Sequence, residues 1–173
     1  RIEQHKGKSG LNLCAEVLDG VLHHSGYGQP GPRASTLEGQ IIRISDKIAY
    51  VQHDIDDAIR AGLLSLKQIP RDYLEVLGET HSQRIATLVI DTIEHTRWKM
   101  ESGENFIVEP GLEVEGALRG LREFMFENIY RGAICEAERR RAMFIINHLY
   151  DYYEKFPDKM SPLYLQIMEE EGV

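Results

Sequence analysis

Six polar residues of types that could bind a ligand recur within one stretch of the chain, one, three or four residues apart. They are Arg43, Asp46, Lys47, Tyr50, Asp54 and Asp57. On an α-helix, at about 100° per residue, all six fall within an arc about 100° wide. Two bases, three acids and a phenol on one face are typical of one wall of a binding site. A merely solvated helix face fits the same pattern, and periodicity does not decide between the two interpretations.

A metal site at the neighbouring residues His53 and Asp54 is a further interpretation of this stretch. Adjacent residues on a helix point about 100° apart. A metal bound there would therefore need ligands from other elements. The seven histidines are scattered along the chain, and none has the spacing of a convincing metal site.

The helix that would carry the six residues is predicted from its ends and from its apolar face. Ser35 and Glu38 form a capping-box pattern at its start, and Gly62 suits the left-handed conformation that ends helices. Between these ends, residues spaced by four and three form one apolar stripe, which we expect to be buried. The stripe consists of Leu37, Ile41, Ile44, Ile48, Val51, Ile55 and Ile59.

Helical patterns also occupy most of the remaining chain. Further helices are predicted over residues 11–24, 71–77, 80–100, 113–131 and 133–154, with a short last helix after Pro162. Residues 105–111 are the only strand-like stretch, and one such stretch cannot form a sheet. We therefore predict an all-α helical bundle that forms a single domain over residues 1–173.

Two details of these helices can be checked. Thr80 and Gln83 form a second capping box. In the helix that they begin, the residues expected to face inward are Ile85, Leu88, Val89 and Ile93, with Thr92 on the same side.

The basic run Arg139-Arg140-Arg141, with Arg122 and Arg131 nearby, is a candidate anion site. Three consecutive helical residues spread over about 200° and cannot all face one ligand. Solvated or inter-subunit positions are therefore favoured for most of these arginines.

Composition narrows the class of protein. The net charge of −8 over 173 residues argues against a general nucleic-acid surface, although a local basic cluster could still hold a small anion. No apolar run approaches the roughly 18 residues of a membrane span. The two cysteines, Cys14 and Cys135, stand in apolar helical settings, which favours buried thiols in a reduced, cytoplasmic protein.

The stretch T-L-E-G-Q-I-I-R-I-S-D-K-I-A-Y-V-Q-H-D-I-D-D-A-I-R-A-G, positions 36–62, resembles a signature of the bacterial deoxyguanosine-triphosphate triphosphohydrolase-like proteins, which are HD-superfamily phosphohydrolases. Similar segments follow along nearly the whole chain, at 11–26, 84–91, 121–126 and 151–164. The resemblance implies the C-terminal part of an HD-domain enzyme. It also implies metal-dependent hydrolysis of a deoxynucleoside triphosphate (dNTP) to deoxynucleoside and triphosphate, with Mg²⁺ or Mn²⁺ as cofactor, in a homo-oligomer.

The resemblance also implies roles for individual residues. The family's metal is held by a histidine, a His-Asp pair and a distant aspartate, and Asp46 matches that aspartate. Lys47 matches a phosphate-binding lysine, and Tyr50 and Asp54 match residues that read the sugar 3′-hydroxyl. The other metal ligands would lie upstream of Arg1, so the chain is expected to be a fragment that is inactive by itself.

Two other functions stay open at this point. One is an HD phosphohydrolase that acts on a different nucleotide, such as a monophosphate or a signalling nucleotide. The other is a non-catalytic helical assembly module whose polar stripe is solvated. A buried Asp46 that faces a cleft would argue against the assembly module.

Overall fold

A computed structural model describes residues 4–5, 8–26, 31–103 and 106–172 of the chain. The chain divides into two compact units, Arg1–Phe126 (unit 1) and Glu127–Val173 (unit 2). The single domain over 1–173 stays a prediction, because packing into two units does not show whether they fold separately.

The all-α prediction is confirmed, with seven α-helices in the described residues. Unit 1 contains five of them: α1 (Ala15–His23), α2 (Leu37–Arg60), α3 (Arg71–Leu77), α4 (His81–Glu101) and α5 (Leu112–Met125). Unit 2 contains α6 (Ala133–Lys155) and α7 (Pro162–Glu171). Short 3₁₀ turns lie at Leu66–Gln68 and Pro157–Lys159, and a π-helical stretch, Phe126–Tyr130, follows α5.

Strand structure in the described residues is limited to one small antiparallel ladder near the N-terminus. Its strands are β1 (Gln4–His5) and β2 (Lys8–Ser9). Two-residue strands are too short to show an alternating pattern, so this ladder was not predictable from the sequence. The strand-like residues 106–111 form no strand.

The ends of α2 agree only in part with the sequence prediction. Gly62 adopts a left-handed conformation with φ of 70°, as expected. The predicted Ser35–Glu38 capping box is wrong, because the cap lies one residue later, where the Thr36 side chain accepts from the amide of Gly39. The Ser35 amide and hydroxyl instead both donate to Asp19 Oδ2, at 2.7 and 2.9 Å. Ser35 thus bonds to Asp19, a residue distant in the sequence, and Thr36 caps the helix in its place. The second capping box, Thr80 with Gln83, is confirmed.

The apolar stripe of α2 supplies the core of unit 1 along most of its length. Ile44, Ile48, Val51 and Ile55 are buried, and they are joined in the core by Leu88 of α4 and by Leu118 and Leu121 of α5. Ile59 is only half-buried. Each fully buried side chain of this size stabilises the fold by about 1.5–3 kcal/mol.

The expected burial is wrong at the first turns of the stripe and on α4. Leu37, Ile41, Val89 and Ile93 are all exposed, and Ile85 is half-buried. The first four line an apolar groove of about 590 Å³ between α2 and α4. Periodicity shows which face of a helix is apolar, but not whether another element covers that face. The cysteines also differ from expectation, since Cys14 is exposed and Cys135 is half-buried.

Two glycines allow α1 to approach α2 closely. A Cβ on Gly39 would lie 2.5 Å from the Cβ of Ala34 and 3.2 Å from the Cα of Gly20. Neither neighbour is the end of a flexible side chain, so neither can move aside easily. None of the helices in the described part of the chain combines the length and apolar character needed to cross a membrane.

We expect Gly39→Ala to lower the free energy of unfolding by about 1–3 kcal/mol, because the added methyl group overpacks this contact. Gly116 on α5 provides the matched control, since a Cβ there would meet no heavy atom within 4 Å. Gly116→Ala should leave stability unchanged or raise it by up to about 1 kcal/mol, the helix-propensity gain of alanine. Urea unfolding of both variants measures the difference, and an equal effect of the two changes would contradict the close approach.

An arginine is buried in unit 1. Arg84 on α4 is 1% exposed. Its Nε donates to Gln52 Oε1 at 2.6 Å, and its Nη1 donates to the carbonyl of Glu79 at 2.9 Å. Its Nη2 lies 3.7 Å from Asp56 Oδ1. Burial lowers the pKa of this guanidinium, and Asp56 opposes that shift. The hydrogen bonds that Arg84 donates to α2 and to the turn before α4 therefore stabilise its positive charge inside the unit.

Candidate functional site

A small cleft in unit 1 brings together four of the six polar residues identified on α2. Its volume is about 140 Å³. It is lined by Arg43, Asp46, Lys47 and Tyr50 from α2, by Arg122 from α5, and by His24, Ser25 and Gly26 at the end of α1.

The packing of the core aims these side chains at the cleft. Burial of Ile44, Ile48 and Val51 fixes the rotation of α2 about its axis, so its polar face turns toward α5 and the end of α1. Burial of Leu121 and Met125 fixes α5 in the same way and leaves Arg122 at the edge of the cleft. Part of the polar face of α2, at Arg43 and Lys47, is therefore buried by other elements, while Asp46 and Asp57 remain exposed.

Lys47 is the most enclosed charged residue of the cleft, with 2% of its surface exposed. Its Nζ lies 3.6 Å from Glu115 Oε1 on α5. Burial lowers the pKa of this amine to about 8, Glu115 opposes the shift, and the positive charges of Arg122 and Arg119 add to it. Lysine at this position is thus a cation in a partly desolvated, predominantly basic setting.

The stability of the chain should depend on pH through Lys47. The folded-state pKa of about 8 lies below the ordinary lysine value of 10.5, so between these values the unfolded state binds more protons and the free energy of unfolding rises with pH. This stabilisation is lost as the pH falls through about 8. Relative to Lys47→Met, the wild type should gain on the order of 2 kcal/mol between about pH 7 and pH 10. Urea unfolding of both proteins checks this, and a constant difference across that range would contradict the depressed pKa.

Arg43 shapes the cleft chiefly through the backbone. Its Nη1 donates to the carbonyls of His23 and Pro32, at 3.1 and 3.2 Å, and its Nη2 donates to the carbonyl of Gly26 at 2.8 Å. It is 9% exposed. This arginine therefore holds both ends of the loop between α1 and α2 against α2.

Tyr50 is half-buried, and its phenol oxygen accepts a hydrogen bond of 2.6 Å from Nε of Arg122. The guanidinium of Arg122 also lies 4.6 Å from the ring centre of Phe126, within the range of a cation–π contact. Because the phenol oxygen already accepts from a cation, its own hydrogen remains to be donated to an acceptor in the cleft.

The acidic residues of α2 lie in different places. Asp46 lines the cleft but is exposed, so the buried Asp46 that would argue against an assembly module is not found. Asp54 is half-buried, one turn beyond Tyr50, and does not line the cleft. Asp57 is exposed and pairs with Arg60 at 3.3 Å. The roles of Asp46, Lys47, Tyr50 and Asp54 stay predictions.

Sequence reasoning missed three residues of this site. Arg122 was placed among solvated or inter-subunit arginines, whereas it lines the cleft, and Glu115 and His24 were not singled out. Arg122 and His24 do lie within the segments 121–126 and 11–26 that carry the family resemblance, which was the available signal. Their contact with α2 could not be seen from spacing along one helix.

A divalent metal does not fit the described residues by themselves. The part of the chain that the structure describes contains no group of three or more histidine, cysteine, aspartate or glutamate residues arranged to hold one. A hard cation such as Mg²⁺ takes about six oxygen ligands, several of them waters, and Asp46 offers one carboxylate.

Comparison with known proteins gives a match to one family model over the last part of the chain. Residues 109–173 match the family model of the phosphohydrolase-associated domain. These residues include Arg122, which lines the cleft from α5, and Glu115, which pairs with Lys47.

The particular relatives are proteins named deoxyguanosinetriphosphate triphosphohydrolase-like protein. The chain is 48% identical to one from Clostridium tetani over 98% of its own length and 49% of the relative. It is 46% identical to one from Clostridium perfringens, covering 97% of the chain and 49% of the relative. It is 40% identical to one from Caldanaerobacter subterraneus, covering 96% of the chain and 46% of the relative. These matches confirm the resemblance found in the sequence. The chain spans about half the length of the curated relatives it matches.

Proposed function

We propose that the cleft binds the triphosphate group of a deoxynucleoside triphosphate. In this proposal the chain forms the substrate-binding part of a metal-dependent dNTP triphosphohydrolase. The observation that carries the proposal is the enclosed Lys47, which shares the cleft with Arg43 and Arg122 and lies close enough to Arg119 for the charges to interact. The names of the relatives support the same substrate.

The charges of the cleft suit a polyanion. Three bases, Arg43, Lys47 and Arg122, line the cleft with one acid, Asp46. Next to it, Glu115 lies 3.6 Å from Lys47, and the charge of Arg119 is near enough to lower the pKa of that lysine. Placing a cation in a partly buried position strengthens its attraction for phosphate, because the effective dielectric constant there is lower than that of water. A bound triphosphate would also offset the repulsion from Arg122 and Arg119, which adds to the effect of burial in lowering the pKa of Lys47.

Tyr50 adds a directed hydrogen-bond donor. Its O–H can donate to a phosphate oxygen or to the oxygen of the 3′-hydroxyl while Arg122 holds the phenol oxygen. In the proposed enzyme Asp46 is one ligand of a Mg²⁺ or Mn²⁺ ion, which would polarise the phosphate and activate water. One carboxylate holds such an ion weakly, so we expect the 173-residue chain to bind nucleotide without hydrolysing it.

The proposal is tested by titrating the chain with dGTP, dGMP and 2′,3′-dideoxy-GTP in a calorimeter. We expect dGTP to bind more tightly than dGMP, because the extra phosphates contact the basic residues of the cleft. If Asp54 reads the 3′-hydroxyl, wild type should prefer dGTP over the dideoxy analogue by about 5- to 100-fold, the equivalent of a hydrogen bond worth about 1–3 kcal/mol. Asp54→Ala should lose that preference.

Asp57→Ala is the matched control, since it removes an acid from the same face of α2 at a position exposed to solvent. This variant should discriminate as the wild type does. Equal affinity for dGTP and dGMP would argue for an enzyme of monophosphates. If no nucleotide binds saturably, a helical assembly module becomes the better account of the chain.

A further inference from the structure

We propose that His24 is a further ligand-binding residue of this cleft and that its Nε2 contacts the bound polyphosphate. This inference rests on the proposed function, because it concerns the same site. Neither the sequence pattern of α2 nor the family resemblance assigned His24 a role.

The orientation of the imidazole ring is set by a local hydrogen bond. His24 Nδ1 lies 2.6 Å from the carbonyl oxygen of Val21. A carbonyl oxygen can only accept, so Nδ1 carries the hydrogen and Nε2 is the nitrogen that remains for a ligand. The residue is half-buried and lines the cleft with Lys47, Tyr50 and Arg122.

The backbone on both sides of His24 is held by the buried guanidinium of Arg43. Arg43 donates to the carbonyl of His23, which precedes His24, and to the carbonyl of Gly26, two residues beyond it. Asp19 also links the end of α1 to the residues before α2. One of its oxygens lies 2.8 Å from His23 Nδ1, and the other accepts from Ser35.

This amount of fixation has a functional consequence. Because Arg43 holds the carbonyls on both sides of His24, the backbone that carries the imidazole ring is fixed before a ligand binds. A side chain that must meet a ligand benefits from a rigid backbone and a fixed ring, because less conformational entropy is lost on binding. The geometry thus presents His24 as a preorganised contact.

The electrostatic surroundings of His24 also suit an anionic ligand. His24 follows the last turn of α1, where the helix dipole favours a positive charge. The charged groups that line the cleft with it are Arg43, Asp46, Lys47 and Arg122. A bound polyanion offsets the repulsion between these bases, and its phosphate oxygens can accept a hydrogen bond from Nε2 when that nitrogen carries a hydrogen.

Inorganic triphosphate is the probe for this contact, with the 173-residue chain and two histidine variants. The amide of an asparagine can replace Nδ1–H as a donor to Val21 but cannot reach the position of Nε2. We therefore expect His24→Asn to keep the melting temperature of the wild type and to weaken triphosphate binding about tenfold. His53→Asn on α2 is the matched control, because His53 does not line the cleft, and it should bind as the wild type does.

A second readout separates ligand contact from a structural role. In ¹⁵N spectra of the imidazole rings, addition of triphosphate should shift Nε2 of His24 while Nδ1 keeps the hydrogen-bonded signal of the free protein. The inference is overturned if His24→Asn binds within twofold of the wild type and Nε2 does not move, while Lys47→Ala still weakens binding. In that case the proposed function survives. If the wild type itself does not bind triphosphate, both are wrong.

Discussion

Replacing Lys47 by alanine is expected to lower the affinity of the chain for inorganic triphosphate by roughly 10- to 100-fold. The ammonium group is buried against α5 and is the most enclosed positive charge that lines the cleft. A hydrogen bond to a charged group is worth about 1.5–3 kcal/mol, and each 1.4 kcal/mol is tenfold in affinity. The loss should be largest for triphosphate and smallest for a nucleoside, because a nucleoside has no phosphate to contact the amine.

Lys67→Ala provides the control for this measurement, since it makes the same change of charge at an exposed position that does not line the cleft. At about 0.15 M salt, exposed charges more than about 8 Å away are largely screened, so this variant should bind nearly as the wild type does. Calorimetric titration of both variants measures the contrast. Equal effects would mean that net charge, and not the cleft, attracts the anion.

The largest effect on stability is expected at Arg84. Arg84→Ala should lower the free energy of unfolding by about 2–5 kcal/mol, the range for truncating a large buried side chain to alanine. The change deprives Gln52 Oε1 and the carbonyl of Glu79 of their donor and leaves a cavity against α2. Urea unfolding measures this effect directly.

Arg60→Ala is the matched control, because Arg60 also contacts Asp56, at 3.8 Å, but from a side chain that is 76% exposed. An exposed ion pair contributes about 0–1 kcal/mol, so the control should change stability little. Similar losses in the two variants would contradict the assignment of Arg84 to the interior.

The helices of this chain were predictable because their signals are local. The Thr80–Gln83 capping box and the left-handed Gly62 are decided by residues within one turn, and both are confirmed. The cap of α2 was misplaced by one residue because Asp19, sixteen residues before Ser35, takes the hydrogen bonds of Ser35. A partner so distant leaves no trace in a capping pattern.

The same limit applies to burial. Ile44, Ile48, Val51 and Ile55 follow the predicted stripe into the core, whereas Ile41 at its beginning is exposed. Helical period gives the direction of a side chain. The presence of a neighbouring element depends on how other helices pack, which the sequence of α2 does not contain.

Only the side of the candidate site that α2 forms was predictable from the sequence. The helical period placed Asp46, Lys47 and Tyr50 on one face of α2, and all three line the cleft. Arg122 reaches the same cleft from α5, 72 residues after Tyr50, and His24 reaches it from the end of α1. Those positions are set by tertiary packing, so spacing along α2 could not reveal them.

The most direct test of the triphosphate cleft is an amide NMR titration of the 173-residue chain with inorganic triphosphate. Saturable shifts should concentrate on residues 43–50 of α2, on residues 24–26 and on residues 119–122 of α5, and Lys47→Ala should need roughly 10- to 100-fold more triphosphate to reach them. Saturable shifts centred on the basic run Arg139-Arg140-Arg141 of α6, or no saturable shifts at all, would contradict a triphosphate site in this cleft.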